Sequence, residues 1–151
     1  MWQERLAVVG DLDRLMAIRA VVRENRLDDP SAVTQVDYHW YSAERLLLVA
    51  VERDMILGFS ASDPRDGSIW ALFVDPAHEG RGVGRGLLAR ACADLAKAGF
   101  RVARLRTGSG TRAERFYGLS GWRRVGTDEN GEAFMERSLD LSYGPSQPST
   151  P

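Results

Sequence analysis

The chain has 151 residues, 44% hydrophobic and 27% charged. That is one domain's worth of chain, enough to bury roughly two-thirds of the surface an unfolded chain exposes, and too apolar for a disordered protein. Twenty Lys+Arg against 21 Asp+Glu leave a net charge of −1, with no global basic field for coating nucleic acid.

Leu6–Val9 reads as a short first strand. Asp11 follows as an N-cap, and Leu12, Leu15, Met16 and Ala20 fall at helical spacing, predicting a helix to about Arg23. Glu24 to Pro30 is polar, with Asp28-Asp29 before Pro30, and reads as a loop. Thr34 is placed to cap a short helix from Gln35 to about Ser42, rich in aromatics. Leu46–Glu52 and Met55–Ser62 are strands joined at Arg53-Asp54, a hairpin. Pro64-Arg65-Asp66-Gly67 is a turn, and Ser68–Val74 a strand ended by Asp75-Pro76.

Glu79-Gly80-Arg81-Gly82-Val83-Gly84-Arg85-Gly86 is then a glycine-rich loop opening into an amphipathic helix, with Leu87, Leu88, Ala91, Leu95 and Ala98 as its stripe and Gly99 as its stop. Val102–Thr107 is a strand with Arg at alternate positions. Thr111 caps a helix through Leu119, ended by Gly121. Trp122–Val125 and Ala133–Leu139 are strands joined around Asn130-Gly131. Ser142–Pro151 is a polar, proline-bearing tail expected to be disordered, which leaves residues 1–141 as the domain. The order β-α-α-β-β-β-α-β-α-β-β is that of one α/β domain with a mixed sheet.

One cysteine (Cys92) excludes an internal disulfide, and with two histidines no metal site is expected. Cys92, mid-helix between alanines, reads as a buried structural thiol. The longest apolar run, Leu46–Val51, falls far short of the ~20 residues of a membrane helix, and Met1-Trp2-Gln3-Glu4-Arg5 has no signal-peptide apolar core. The expectation is a soluble cytoplasmic protein with neither nucleic acid nor membrane as partner. Nineteen of the 20 basic residues are Arg, a bias that GC-rich coding also produces.

The glycine-rich loop carries the chemical signal. A loop that leaves a strand and enters a helix points several unpaired backbone N–H groups one way, and the helix dipole adds partial positive charge there. Glycines at 80, 82 and 84 let an anion approach without a Cβ in the way, and Arg81 and Arg85 add charge-assisted donors. The Lys-Ser/Thr ending of a nucleotide-triphosphate loop is absent, and Leu87 stands where the dinucleotide fingerprint needs glycine.

Val74-x-Pro76-x-x-Glu79-Gly80-x-Gly82-Val83-Gly84-x-x-Leu87-Leu88 resembles the acetyl-CoA signature of the GNAT superfamily of N-acetyltransferases. A second block, Ala113-x-x-Phe116-Tyr117-x-x-x-Gly121-Trp122, is similar to that family's next motif, and the likeness extends from Arg5 to Leu139. The resemblance implies a single α/β domain, its mixed, mostly antiparallel sheet flanked by four helices. It also implies acetyl-CoA as cosubstrate without a metal, an amine-bearing small molecule or peptide as acceptor, and a homodimer as one assembly open to it. By position it assigns the CoA pyrophosphate to the backbone of Gly80, Arg81, Gly82, Val83, Gly84 and Arg85. It assigns the pantetheine arm and thioester carbonyl to the strand at Phe73 or Val74, and protonation of the leaving thiolate to Tyr117.

The chain departs from the family in two places. Glu79 stands where Gln or Arg is usual, so its carboxylate is expected to point away from the phosphates or to pair with Arg81 or Arg85. Gly110 stands where Asn often contacts the CoA arm, which leaves Ser109 or Thr111 to substitute. The expected reaction is direct attack by a neutral amine in a ternary complex, with fixed donors for the oxyanion. The candidates for the base are Glu24 and Asp37, or a water relay. Asn25, Tyr38 and Trp70 are the candidates to line the acceptor pocket. Residues 1–75 hold 8 Arg and 13 Asp+Glu, net −5, and residues 76–151 are net +4. That split fits a cationic amine on the first half and anionic CoA on the second. The alternatives are a non-catalytic acyl-CoA-binding regulatory domain and a nucleotide-binding module.

Overall fold

The computed structural model describes residues 1–22 and 35–139. Among these lie β1 (Gln3–Leu6), α1 (Leu12–Val22), α2 (Gln35–Ala43), β2 (Leu47–Glu52), β3 (Met55–Asp63), β4 (Ser68–Val74), α3 (Val83–Lys97), β5 (Val102–Gly108), α4 (Arg112–Leu119), β6 (Arg123–Thr127) and β7 (Glu132–Ser138). The strands hydrogen-bond in the order β1-β2-β3-β4-β5-β7-β6. Pairing is antiparallel for β1 with β2, β2 with β3, β5 with β7 and β6 with β7, and parallel for β4 with β5. This is the expected α/β architecture with a mixed, mostly antiparallel sheet. The chain clusters into two compact units, one of residues 1–61 and 71–89, the other of residues 62–70 and 90 onward.

In the first unit the opening strand lies earlier than Leu6–Val9. Gln3 to Leu6 pair with Val51 to Leu48. The Asp11 carboxylate then accepts from the Val8 N–H at 2.9 Å and from Arg5 at 2.8 Å, which turns the chain and leaves Val8 and Val9 exposed. A local carboxylate cap outweighs the strand propensity of the two valines. All of Leu47–Ala50 is buried, so β2 is covered on both faces and reads as a continuous apolar run. Leu48, Ala50, Leu57, Val83 and Leu87 form one buried cluster, with Trp2, Leu6, Leu72 and Val74 packed against it. Each fully buried Leu or Val contributes about 1.5–3 kcal/mol, so this cluster fastens the start of α3 to the sheet beside the end of β4. The β2–β3 turn has positive φ at both Arg53 (51°) and Asp54 (66°), the pattern of a tight hairpin, here made without glycine.

In the second unit, β5 alternates as its sequence predicts, with Ala103, Leu105 and Thr107 buried and Arg104 and Arg106 exposed. Arg104 bonds Glu136 at 3.3 Å across the β5–β7 pair. Gly67 is required where it stands. Its φ is +78°, and a Cβ there would lie 2.7 Å from the Phe100 ring. The β6–β7 connection is wider than a two-residue Asn-Gly turn. The Asp128 carboxylate accepts from the amides of Asn130 and Glu132, and Gly131 alone takes positive φ, so the loop is organised by an aspartate upstream of the dipeptide. The tail beyond Leu139 lies outside the described residues.

Candidate active site

The loop after β4 is set by Asp75. Its carboxylate caps the following turn at the Ala77 N–H (3.0 Å) and receives Arg14 at 2.6 Å, contacts that hold its pKa below the usual carboxylate range. The helix then begins earlier than Leu87. α3 starts at Val83, so Gly84, Arg85 and Gly86 form its first turn and are not loop residues. The stripe predicted from Leu87 missed this turn because glycines carry no apolar signal.

The first bond into this turn runs from the Gly86 N–H to the Gly82 carbonyl, 3.0 Å. Among the described residues no acceptor meets the amides of Gly80 through Arg85. Helix starts leave such donors over, and here the loop adds to them. Gly80 (φ +82°) and Gly82 (φ +81°) take a backbone conformation that other residues avoid, and a Cβ at either would meet nothing within 4 Å. The loop therefore carries a row of donors without acceptors, and a Cβ at Gly80 or Gly82 would meet only open space, which fits a pyrophosphate. Arg85 is exposed on the same turn. Arg81 donates to Glu52 at 2.8 Å, so its partner is a carboxylate on β2 and not Glu79.

Phe73 and Val74 end β4. Val74 packs on the cluster that contains Val83, which brings these two predicted site residues together. The Phe73 ring lies 5.5 Å from Phe59, and Phe59 lies 6.1 Å from Tyr38. Tyr38 is buried, so it backs this aromatic wall and does not line an open surface. His39 is exposed on α2, and Asp37 is half-buried in the helix's first turn. Glu24 and Asn25, with Asp28 and Asp29, lie outside the described residues.

The second unit holds Trp70, Thr111 and Tyr117. Thr111 caps α4. Its hydroxyl accepts from the Glu114 N–H at 3.2 Å and donates to the Gly108 carbonyl at 2.6 Å, which commits its proton and one lone pair to the helix start. Tyr117 is buried on α4 between Phe116 (5.3 Å) and Trp122 (5.8 Å). Burial, and the nearby Cys92, push its hydroxyl well above the usual tyrosine range, so the phenol stays protonated at neutral pH. Cys92 is fully buried, and burial pushes its thiol up, as a structural cysteine requires.

Four features escaped the sequence: Glu52 against Arg81, Arg14 against Asp75, Arg19 over Phe73, and Gly58 beside Phe73. Only Gly58 had a signal, since an isolated glycine inside a strand marks a close backbone approach. A Cβ there would lie 2.7 Å from the Phe73 carbonyl oxygen.

The family model for the acetyltransferase (GNAT) domain matches residues 27–135. The chain belongs to the GNAT acetyltransferase family. It is accordingly an acyl-CoA-dependent acetyltransferase. Solved GNAT structures share its fold. A GNAT-family acetyltransferase from Staphylococcus aureus Mu50 aligns with a TM-score of 0.79 at 16% identity, over 93% of this chain and 100% of that one. YncA of Salmonella typhimurium, with acetyl-CoA bound, aligns with a TM-score of 0.74 at 22% identity, over 100% and 98%. The N-acetylglutamate synthase of Neisseria gonorrhoeae, in complex with coenzyme A and N-acetyl-glutamate, gives a TM-score of 0.75 at 17% identity over 93% of this chain. This GNAT chain spans only 35% of that synthase's length. A search of curated proteins gave no significant match. Among the described residues no helix is long and apolar enough to cross a membrane, and no group of three His, Cys, Asp or Glu is placed to hold a metal ion.

Proposed function

We propose that this GNAT chain moves an acetyl group from acetyl-CoA to a primary amine by direct attack in a ternary complex. The observation that carries the proposal is the row of amides from Gly80 to Arg85, left without acceptors among the described residues where α3 begins. Those amides and the Arg85 guanidinium hold the pyrophosphate. The amide of Phe73 or Val74 donates to the thioester carbonyl and stabilises the oxyanion as the amine adds. Thr111, with one lone pair left, is a lesser contact for the CoA arm.

Tyr117 gives its proton to the departing thiolate. A buried phenol that resists ionisation is protonated when the leaving group needs it, and acid catalysis of this kind contributes typically 10²–10⁴-fold. The amine must lose a proton before it attacks. Asp37, Glu24 or a water relay serves as the base, with Asn25 and Trp70 beside the acceptor.

An amine-panel assay with acetyl-CoA, read by thiol release, tests the reading. Turnover that needs both an amine and the Tyr117 hydroxyl supports it. Tight acetyl-CoA binding with no thiol release for any amine would favour a regulatory acyl-CoA-binding domain. Thermal stabilisation by ATP and none by acetyl-CoA would overturn the assignment of the loop.

A further inference from the structure

Two arginines attach α1 to the end of β4. Arg14 donates from Nη2 to Asp75 Oδ2 at 2.6 Å and to the Ile56 carbonyl at 3.1 Å. Arg19 lies over the Phe73 ring, its guanidinium carbon 5.9 Å from the ring centroid. The two contacts hold α1 against Asp75 and Phe73, two residues apart where β4 ends.

The arginines differ in what they meet. A carboxylate neutralises Arg14. Among the described residues Arg19 forms no ion pair, and its guanidinium lies over an aromatic ring. A guanidinium over a ring is attracted by the ring's quadrupole, a contact that uses none of its five N–H donors. That arrangement leaves the fork open for a bidentate anion. The Phe73 ring, itself packed on Phe59, keeps one side of the guanidinium apolar, which lowers the local dielectric and strengthens such a pair.

This inference rests on the acetyl-transfer function above, which sets the reacting carbonyl beside Phe73 or Val74. We propose that Arg19 is the anion-recognising residue of the acceptor subsite, and that the acceptor is an amine that also carries a carboxylate, an amino-acid-type molecule. The bound carboxylate completes the charge that Asp75 completes for Arg14, and it sets the amine at a fixed distance from the end of β4.

The test uses amines that differ only in the carboxylate: phenylalanine against phenethylamine, and leucine against isoamylamine. The wild-type chain is expected to favour the acids at least tenfold in kcat/KM. Arg19→Met, of similar length and uncharged, is expected to abolish that preference through KM with kcat little changed. Arg19→Lys should keep part of it, since the charge stays and the fork is lost. Equal use of acids and amines by the wild type, or a preference that survives Arg19→Met, would overturn the proposal. If no amine is turned over, the acetyl-transfer function itself falls. Calorimetric titration of each acid against its decarboxylated partner then still decides whether Arg19 binds a carboxylate, with equal affinities counting against it.

Discussion

Arg81 Nη2 lies 2.8 Å from Glu52 Oε2, joining the glycine-rich loop to β2. Glu52 also receives the Met1 ammonium at 2.9 Å. Its carboxyl is held down to about 2, first by the Arg81 hydrogen bond and then by the ammonium, so it is ionised whenever the enzyme works. A charge paired in this way is withheld from a phosphate. Glu52→Gln should release it. The expected outcome is a few-fold lower Kd for CoA at low salt, with the difference lost at high salt, measured by titration calorimetry. Weaker binding in the variant would mean that Glu52 orders the loop and does not compete for Arg81.

Tyr117→Phe should lower kcat about 100-fold or more and leave the Kd for CoA within twofold. Phe keeps the edge contacts with Phe116 and Trp122, so the melting temperature should stay near that of the wild type. Single-turnover thiol release alongside CoA titration separates the two quantities. An unchanged kcat would remove Tyr117 from the reaction.

Gly58→Ala tests the backbone at the reacting end of β4. The new Cβ would sit 2.7 Å from the Phe73 carbonyl oxygen and 3.2 Å from the Val74 Cα, both backbone atoms with little room to yield. Overpacking of this kind costs typically 1–3 kcal/mol. Activity should fall further than stability does, because the displaced amides are those assigned to the thioester. Comparing kcat with the urea midpoint distinguishes a local from a global effect.

Stability should fall at both ends of the pH range. Asp11, Asp75 and Glu52 have pKa values lowered by folding. Their contribution is present above the unfolded carboxylate range and is lost as pH drops from about 4.5 toward 2. Cys92 and Tyr117 have pKa values raised by burial. The unfolded chain ionises first, so stability falls as pH climbs past about 9 to 10. Melting temperature against pH checks both limbs, and Tyr117→Phe should flatten the alkaline one.

Much of the candidate site's local structure was legible because it is short-range. Gly80 to Gly86, Thr111 and Tyr117 lie on short stretches whose strand, cap and helix signals the sequence carries directly. The charge split was legible too, but its proposed cause fares less well. Asp11, Asp63 and Asp75 pair with Arg5, Arg65 and Arg14 within the same half, and Glu52 takes Arg81 from the other. Four of the first half's 13 carboxylates are thus spent on structure and not on drawing in a cationic amine.

By itself the sequence determined the element order, the glycine-rich loop and the tyrosine helix, because capping, glycine conformation and hydrophobic period act over a few residues. Only the tertiary structure decided that Arg81 belongs to Glu52, that Gly58 abuts Phe73, and that Arg19 is left facing an aromatic ring. Those partners lie 15 to 54 residues apart in the chain. They meet through strand register and helix docking, and no local pattern encodes either.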